Sequence, residues 1–176
     1  MKNTVEKFRS PKCEKCRQTT QVLYALDHGT ADLVKAVLVR IKLKNDNRVH
    51  LRREMMVLEK DFTYNRLLNE GVCTSSMVQN GIRAHKHGLL ARVKYEPGVW
   101  CLTRKGAAFL RGESVSKYVL QDKATKHIVG YWHPEVTTTV HELQHEDAPY
   151  WAGGSFDIVE GRLTGKMADE DITPLF

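Results

Sequence analysis

The sequence predicts an α+β fold on three observations. A capped helix runs into a strand, a tight turn and a second strand between Ser75 and Leu102. Leu33, Val34, Val37, Leu38 and Ile41 follow helical i, i+3, i+4 spacing within Ala31 to Lys44. Two β-rich runs, Val115 to Leu120 and His127 to Trp132, flank a polar turn and read as a further hairpin.

Residues 1–12 are polar and basic, broken at Ser10-Pro11, and are expected to be extended. Cys13-Glu14-Lys15-Cys16 is a C-x2-C knuckle between Lys12 and Arg17. Such a turn presents two thiolates to one zinc ion, and nearby positive charge favours the thiolate form. A closed structural site takes four donors, and no second C-x2-C follows. His28, His50, Cys73, Cys101 or a partner chain would have to supply the rest, and none has diagnostic spacing. Two free thiols in a polar arm are the plain alternative. A redox dithiol is disfavoured because no βαβ pattern follows.

Gln21 to Leu26 reads as a short strand, and Asp27 or Thr30 caps the helix Ala31–Lys44. Lys35, Arg40, Lys42 and Lys44 fall off or beside its apolar stripe and are expected on a solvated basic face. Asn45-Asp46-Asn47 makes a turn, and Arg48 to Leu51 is a brief strand placed to pair with the later hairpin. Arg52 to about Asn69 reads as helical, with a break near Asp61–Thr63. Met55, Met56, Leu58, Phe62, Leu67 and Leu68 are its core candidates, and Asn69-Glu70-Gly71 ends it. Cys73 is expected to be a buried small hydrophobe.

Ser75 and Ser76 cap the next helix, which runs to His87 with Val78 and Ile82 on one face and Gly88 at its end. Leu89 to Tyr95 is a strand, Glu96-Pro97-Gly98 a turn, and Val99 to Leu102 the returning strand. Thr103 caps a short helix carrying Ala107, Phe109 and Leu110, closed by Gly112. A helix followed by a hairpin is the second half of a winged helix-turn-helix, in which the helix reads the major groove and the hairpin, or wing, touches the backbone. Gln79, Asn80, Arg83, Lys86 and His87 lie off the Val78/Ile82 stripe. Asn, Gln and Arg are side chains that pair bidentately with base edges. Arg92, Lys94, Arg104 and Lys105 put positive charge on or beside the wing. The ordinary alternative is the solvated surface of a winged helix that binds protein.

The chain has 176 residues and a net charge of +6, which conceals an asymmetry. Residues 1–112 hold 22 Lys/Arg against 10 Asp/Glu, whereas residues 113–176 hold 5 against 11. The basic part contains the winged-helix pattern, where a polyanion partner would bind. The organisation expected is a basic arm with the knuckle over 1–26, a winged-helix domain over 27–112, a β-hairpin over 113–132 and an acidic, partly irregular extension over 133–176. Phe156-Asp157-Ile158-Val159 is the last candidate for order, and the tail from Gly165 is expected to be loose. No apolar run reaches membrane-spanning length, and no secretory signal is visible. A cytoplasmic protein without a membrane partner is expected.

His141-Glu142-Leu143-Gln144-His145 matches H-E-x-x-H, which on a helix binds zinc through both imidazoles and uses the Glu to activate water. Here Thr137, Thr138 and Thr139 precede it and Pro149 follows, which weakens a helix at both ends. Glu160 is at a plausible distance for a third ligand, as any downstream acid would be. A solvated polar segment is the preferred reading and a zinc peptidase the minor one. No phosphate-binding G-x-x-x-x-G-K-[ST], no G-x-G-x-x-G and no G-x-S-x-G occurs, so an enzyme is not expected.

Cys13-x2-Cys16, Asp27-His28-Gly29-Thr30-Ala31-Asp32-Leu33, Arg48-Val49-His50 and His87-Gly88-Leu89-Leu90 form a series. It continues with Trp100-Cys101-Leu102-Thr103-Arg104-Lys105-Gly106-Ala107-Ala108-Phe109-Leu110-Arg111-Gly112-Glu113 and Lys117-Tyr118-Val119. This series resembles a group of small phage- and prophage-encoded proteins of unassigned function. In them a C-x2-C knuckle precedes a winged helix ending in W-x-L-T-x-K-G-x-x-F-x-x-G-E. The resemblance covers roughly Cys13 to Tyr131, with Trp100–Glu113 its most specific part. It implies a fold and a phage-like setting, and no reaction. The expected function is therefore DNA binding by a phage-type transcriptional regulator. The alternative is an interaction factor that docks on a host or phage protein through the winged helix or the acidic C-terminal part.

Overall fold

A computed structural model describes residues 7–151. Phe156–Val159, Glu160 and the tail from Gly165 lie outside the described residues. Within them the chain is mixed α+β, with five α-helices and three small antiparallel sheets.

Strand β1 (Gln21–Ala25) leads into α1 (His28–Lys44). Asp27 is the N-cap: its Oδ1 accepts the Thr30 N–H at 2.9 Å and the Thr30 hydroxyl at 2.6 Å. The helix thus starts three residues before the apolar pattern that predicts it. Asn45 closes it in the left-handed conformation, φ 55. Every residue from Thr30 to Val39 is buried, so α1 is the helix the rest packs around; of its expected basic face Lys42 and Lys44 are exposed and Arg40 is half-buried. Lys35, expected at the surface, is 2 % exposed and pairs with Asp32 at 3.4 Å.

After α1 come β2 (Val49–His50), a single π turn (Leu51–Met55) and a 3₁₀ turn (Glu59–Asp61). The long helix expected from Arg52 is therefore confined to α2 (Tyr64–Glu70), capped by Thr63. Tertiary pairing explains the difference. Cys73 N–H donates to the Met55 carbonyl at 3.0 Å and Val57 N–H to the Cys73 carbonyl at 2.9 Å, which draws Met56 and Val57 into an extended run. Met56 and Leu58, expected in the core, are exposed. Gly71 ends α2 at φ 63, where a Cβ would lie 2.6 Å from the Arg40 amide nitrogen.

Next are α3 (Ser75–Gln79), α4 (Gly81–Lys86), β3 (Leu90–Arg92), β4 (Val99–Leu102) and α5 (Arg104–Leu110). The sheet order is β2-β4-β3, all antiparallel. The buried Asn47 side chain extends this ladder: its amide donates to the Leu102 carbonyl at 3.3 Å and its oxygen accepts the Leu102 N–H at 3.1 Å. Thr103 caps α5, and a Cβ on Gly106 would stand 2.2 Å from the Leu89 carbonyl oxygen, so that position requires glycine.

The last described elements are β5 (Val115–Ser116), β6 (Tyr118–Asp122), β7 (Ile128–Tyr131) and β8 (Thr137–Thr138). β6 and β7 form the expected hairpin, but β1 pairs with β6 along its whole length. The N-terminal arm and the C-terminal hairpin thus share one sheet across the division expected between them. The chain after His133 also joins the body: Val140 and Trp151 are buried, and Trp151 Nε1–H donates to the Leu110 carbonyl at 2.8 Å.

Candidate nucleic-acid interface

Thr74, one residue before the expected caps, accepts the Met77 N–H at 3.3 Å and starts α3. The single helix expected over Ser75–His87 is jointed. At Asn80 the ψ angle opens to −6 and its N–H bonds the Met77 carbonyl at 2.9 Å, three residues back. Gly81 lies against the core at the joint, its Cβ position 3.2 Å from Leu51 and 3.6 Å from Trp100. The Asn80-Gly81 pair was the signal for this break. Ser75, Ser76, Gln79 and Ile82 are exposed along the jointed helix. Ile82, expected on the buried stripe, is 47 % exposed, and Ala84 takes its place in the core.

The predicted contact residues divide accordingly. Gln79 is exposed and Lys86 half-buried at the end of α4. Asn80 is half-buried, and its Nδ2 lies 2.8 Å from where a Cβ on Gly29 would stand, so it faces the start of α1. Arg83 is turned inward: Nη1 is ion-paired with Asp27, and Nε is buried with no hydrogen-bond partner among the described residues. His87 is 1 % exposed, with Nε2 3.1 Å from the Tyr24 carbonyl oxygen. An outward, groove-facing His87 is thus corrected to a core histidine that seats the end of α4 on β1. Burial and the nearby Lys105 hold its pKa at about 4.

On the hairpin, Arg92 and Lys94 are exposed. The Arg92 guanidinium lies 5.1 Å from the Trp100 ring centroid, and Lys94 Nζ lies 5.0 Å from that of Tyr95. Arg48 pairs with Glu96 at 3.3 Å and ties the turn back to the approach to β2. Arg104 is exposed at the first position of α5. Lys105 is half-buried, 5.8 Å from the Tyr131 ring, and burial lowers its pKa.

Lys86 is where the charges meet. Its pKa is lowered first by burial and then by repulsion from Arg92 and from Lys126. The His85 pKa is lowered mainly by burial, with Arg92 and Lys86 adding to the effect against its bond to the Leu90 carbonyl. Lys126 belongs to the β6–β7 turn, outside the winged-helix pattern, and no local motif in the sequence links it to α4.

Cys13 and Cys16 do share one turn. The Cys13 N–H donates to the Gln18 carbonyl at 2.8 Å and the Arg17 N–H to the Cys13 carbonyl at 2.9 Å. Backbone N–H groups of Cys16 and Lys15 lower the Cys13 pKa. Two donors are half of a closed zinc site, and among the described residues no group of three His, Cys, Asp or Glu gathers to hold a metal.

The His141–His145 segment is a turn rather than a helix. Thr139 and Glu142 form a reciprocal capping box: Thr139 N–H donates to Glu142 Oε2 at 2.8 Å, and Glu142 N–H to the Thr139 hydroxyl at 3.3 Å. His141 stacks on Tyr150, whereas His145 stacks on Tyr64 and lies 5.4 Å from His28. The imidazoles therefore do not share the helical face that a metallopeptidase needs. His145 instead belongs to a cluster the sequence reading missed. There Asp32 and Lys35 are buried, burial and the nearby Asp32 carboxylate raise the Tyr64 pKa, and the Trp151 ring lies 5.8 Å from Lys35 Nζ. Burial raises the Asp32 pKa and lowers that of Lys35, against their mutual attraction.

The chain matches no protein-family model, no curated protein and no solved structure. Among the described residues no helix is long and apolar enough to cross a membrane.

Proposed function

We propose that this chain binds DNA, with residues 28–102 acting as a winged helix. The observation that carries the reading is the order α1–β2–α2–α3/α4–β3–β4, with β4 central between β2 and β3. That order sets a short helix beside a two-stranded hairpin, which suits a helix in the major groove and a wing on the backbone. Gln79 would meet a base edge and Ile82 a thymine methyl. Lys86, Arg92 and Lys94 would meet phosphates. Arg83 and His87 are not part of this surface. The phage-type regulatory role rests on the resemblance of the Trp100–Glu113 segment.

The test is a titration of labelled duplex DNA at several salt concentrations. Log affinity should fall linearly with log salt, by about 0.9 for each phosphate neutralised. Absence of binding at low salt would end the proposal and leave a protein partner as the reading to pursue.

A further inference from the structure

We propose that Tyr95, at the tip of the β3–β4 hairpin, packs its ring on a deoxyribose of the bound duplex, beside the phosphate that Lys94 meets. The inference rests on the DNA-binding reading and adds to it a contact that carries no charge.

Between β3 and β4 the chain makes two turns in succession. Glu96 N–H donates to the Val93 carbonyl at 3.3 Å, and Val99 N–H donates to the Glu96 carbonyl at 3.1 Å. The third residue of the second turn is Gly98, with φ 79, and that of the first is Tyr95, with φ 65. A positive φ at this position ordinarily selects glycine or asparagine. At Gly98 the fold adds a second demand, since a Cβ there would stand 2.6 Å from His50 Nε2. At Tyr95 burial offers nothing in return: the residue is 88 % exposed, so packing of the ring does not offset the left-handed backbone. An aromatic side chain is thus held where the backbone disfavours it, with its ring in solvent.

The hairpin presents that ring from a fixed base. Val93 is 4 % exposed and packs with Ala91 and Cys101, and Arg48 holds Glu96 at 3.3 Å. Glu96 is the one acid between Ala91 and Thr103, so its pairing leaves the tip positive. Lys94 is exposed, with Nζ 5.0 Å from the Tyr95 ring centroid, and Arg92 is exposed at the end of β3. A ring beside an ammonium matches the backbone of a nucleic acid, where apolar sugar faces alternate with phosphates, and tyrosine is among the side chains that contact it. The charge of the tip selects a polyanion, and the ring adds a contact that salt does not screen.

Thermal melting and titration of labelled duplex DNA over a salt series are measured for wild type, Tyr95→Gly, Tyr95→Asn and Tyr95→Phe. Glycine and asparagine tolerate the left-handed backbone, so these two variants should melt no lower than wild type. Both should bind several-fold more weakly on unrelated sequences alike, with an unchanged salt slope because no charge is lost. Tyr95→Phe keeps the ring and should bind as wild type does. Wild-type affinity in the glycine and asparagine variants would overturn the inference while leaving DNA binding in place. Weak binding by Tyr95→Gly alone would overturn it by tracing the effect to a loosened turn. Weak binding by Tyr95→Phe would overturn it by moving the contact from the ring to the hydroxyl. Weaker binding with a lower melting temperature would make the ring part of the hairpin's own packing and overturn it equally. Failure of wild type to bind duplex would remove both readings.

Discussion

Arg83 on α4 is ion-paired with Asp27, the residue that caps α1. One carboxylate serves both roles, Oδ1 holding the Thr30 N–H and hydroxyl and Oδ2 the guanidinium. The contact joins the helix expected to read bases to the start of the central helix. It gives Arg83 a partner within the fold.

Asp27→Ala should lower the unfolding free energy by about 1–2 kcal/mol, mostly through the lost cap. Arg83→Ala should cost less than about 1 kcal/mol, because the side chains are 35 % and 42 % exposed and water screens the pair. Removing the unpartnered Arg83 Nε offsets part of even that loss. Urea denaturation of both variants and the double variant measures the coupling. Arg83→Ala should also weaken DNA binding, where it does so, equally on all sequences. A loss confined to one sequence would restore Arg83 to base reading.

The Asp32–Lys35 pair is buried, with its side chains 4 % and 2 % exposed. Lys35→Met should destabilise by about 3–5 kcal/mol, because Asp32 is left buried without its cation. Asp32→Leu combined with Lys35→Met should recover most of the loss, as paired apolar replacements do. Chemical denaturation of the two variants decides this. A double variant as unstable as the single one would mean that other contacts of Asp32, rather than the ion pair, hold this part of the core together.

Local signals in the sequence are legible where the chain itself settles the structure. Thr103, Gly71, Gly88, Gly98 and Gly112 mark helix ends or the β3–β4 turn as their chemistry requires. The hairpin Leu90–Leu102 and the strand β2 follow from alternation and turn residues. What was not legible depends on distant partners. Lys35 looks like a surface residue until Asp32 and Trp151 cover it. Met56 and Val57 fit a helix until Cys73 pairs with them. Arg83 and His87 occupy outward-looking positions by helical spacing, and Asp27 and Tyr24 engage them from across the fold.

His87 makes stability depend on pH in a defined window. Its folded pKa is about 4, against roughly 6.5 for an unperturbed histidine. Between these values the unfolded chain binds a proton that the folded chain does not, so stability falls as pH drops from about 6.5 to 4. The full loss is roughly 3 kcal/mol. His87→Gln keeps an amide donor for the Tyr24 carbonyl and cannot titrate. Urea midpoints across that range should slope in wild type and flatten in the variant. An unchanged slope would assign the acid sensitivity to other groups.

The four cysteines should react in a fixed order. Cys13 is partly exposed and backbone N–H groups lower its pKa, whereas Cys73 is buried and burial pushes its thiol up to about 12. Iodoacetamide at neutral pH, followed by peptide mass spectrometry, should label Cys13 and the exposed Cys16 first and spare Cys73 and Cys101 until the protein unfolds. Protection of Cys13 and Cys16 that is lost on adding a chelator would show that the turn carries a metal, and Cys13→Ser should then lose it.

Gln79 and Lys94 separate the two kinds of contact a winged helix would make. Gln79 is exposed on the jointed helix, and Lys94 is exposed beside Tyr95 on the hairpin. A base contact carries sequence information, while a phosphate contact carries charge only. Gln79→Ala should therefore cost about 1–3 kcal/mol on a preferred site and little on unrelated duplex, without changing the salt slope. Lys94→Ala should weaken every duplex alike and flatten the slope by about 0.9. Neither side chain makes an ion pair within the described fold, so melting temperatures should stay near wild type. The joint at Asn80 sharpens the Gln79 test. Gln79 is the last residue of α3, and the helix face shifts just beyond it. Asn80→Ala would favour a continuous helix and re-aim Gln79, so it should reduce sequence discrimination more than non-specific affinity. Equal losses on all sequences for Gln79→Ala and Asn80→Ala would mean that the jointed helix lies on the backbone, and that any sequence preference comes from DNA shape.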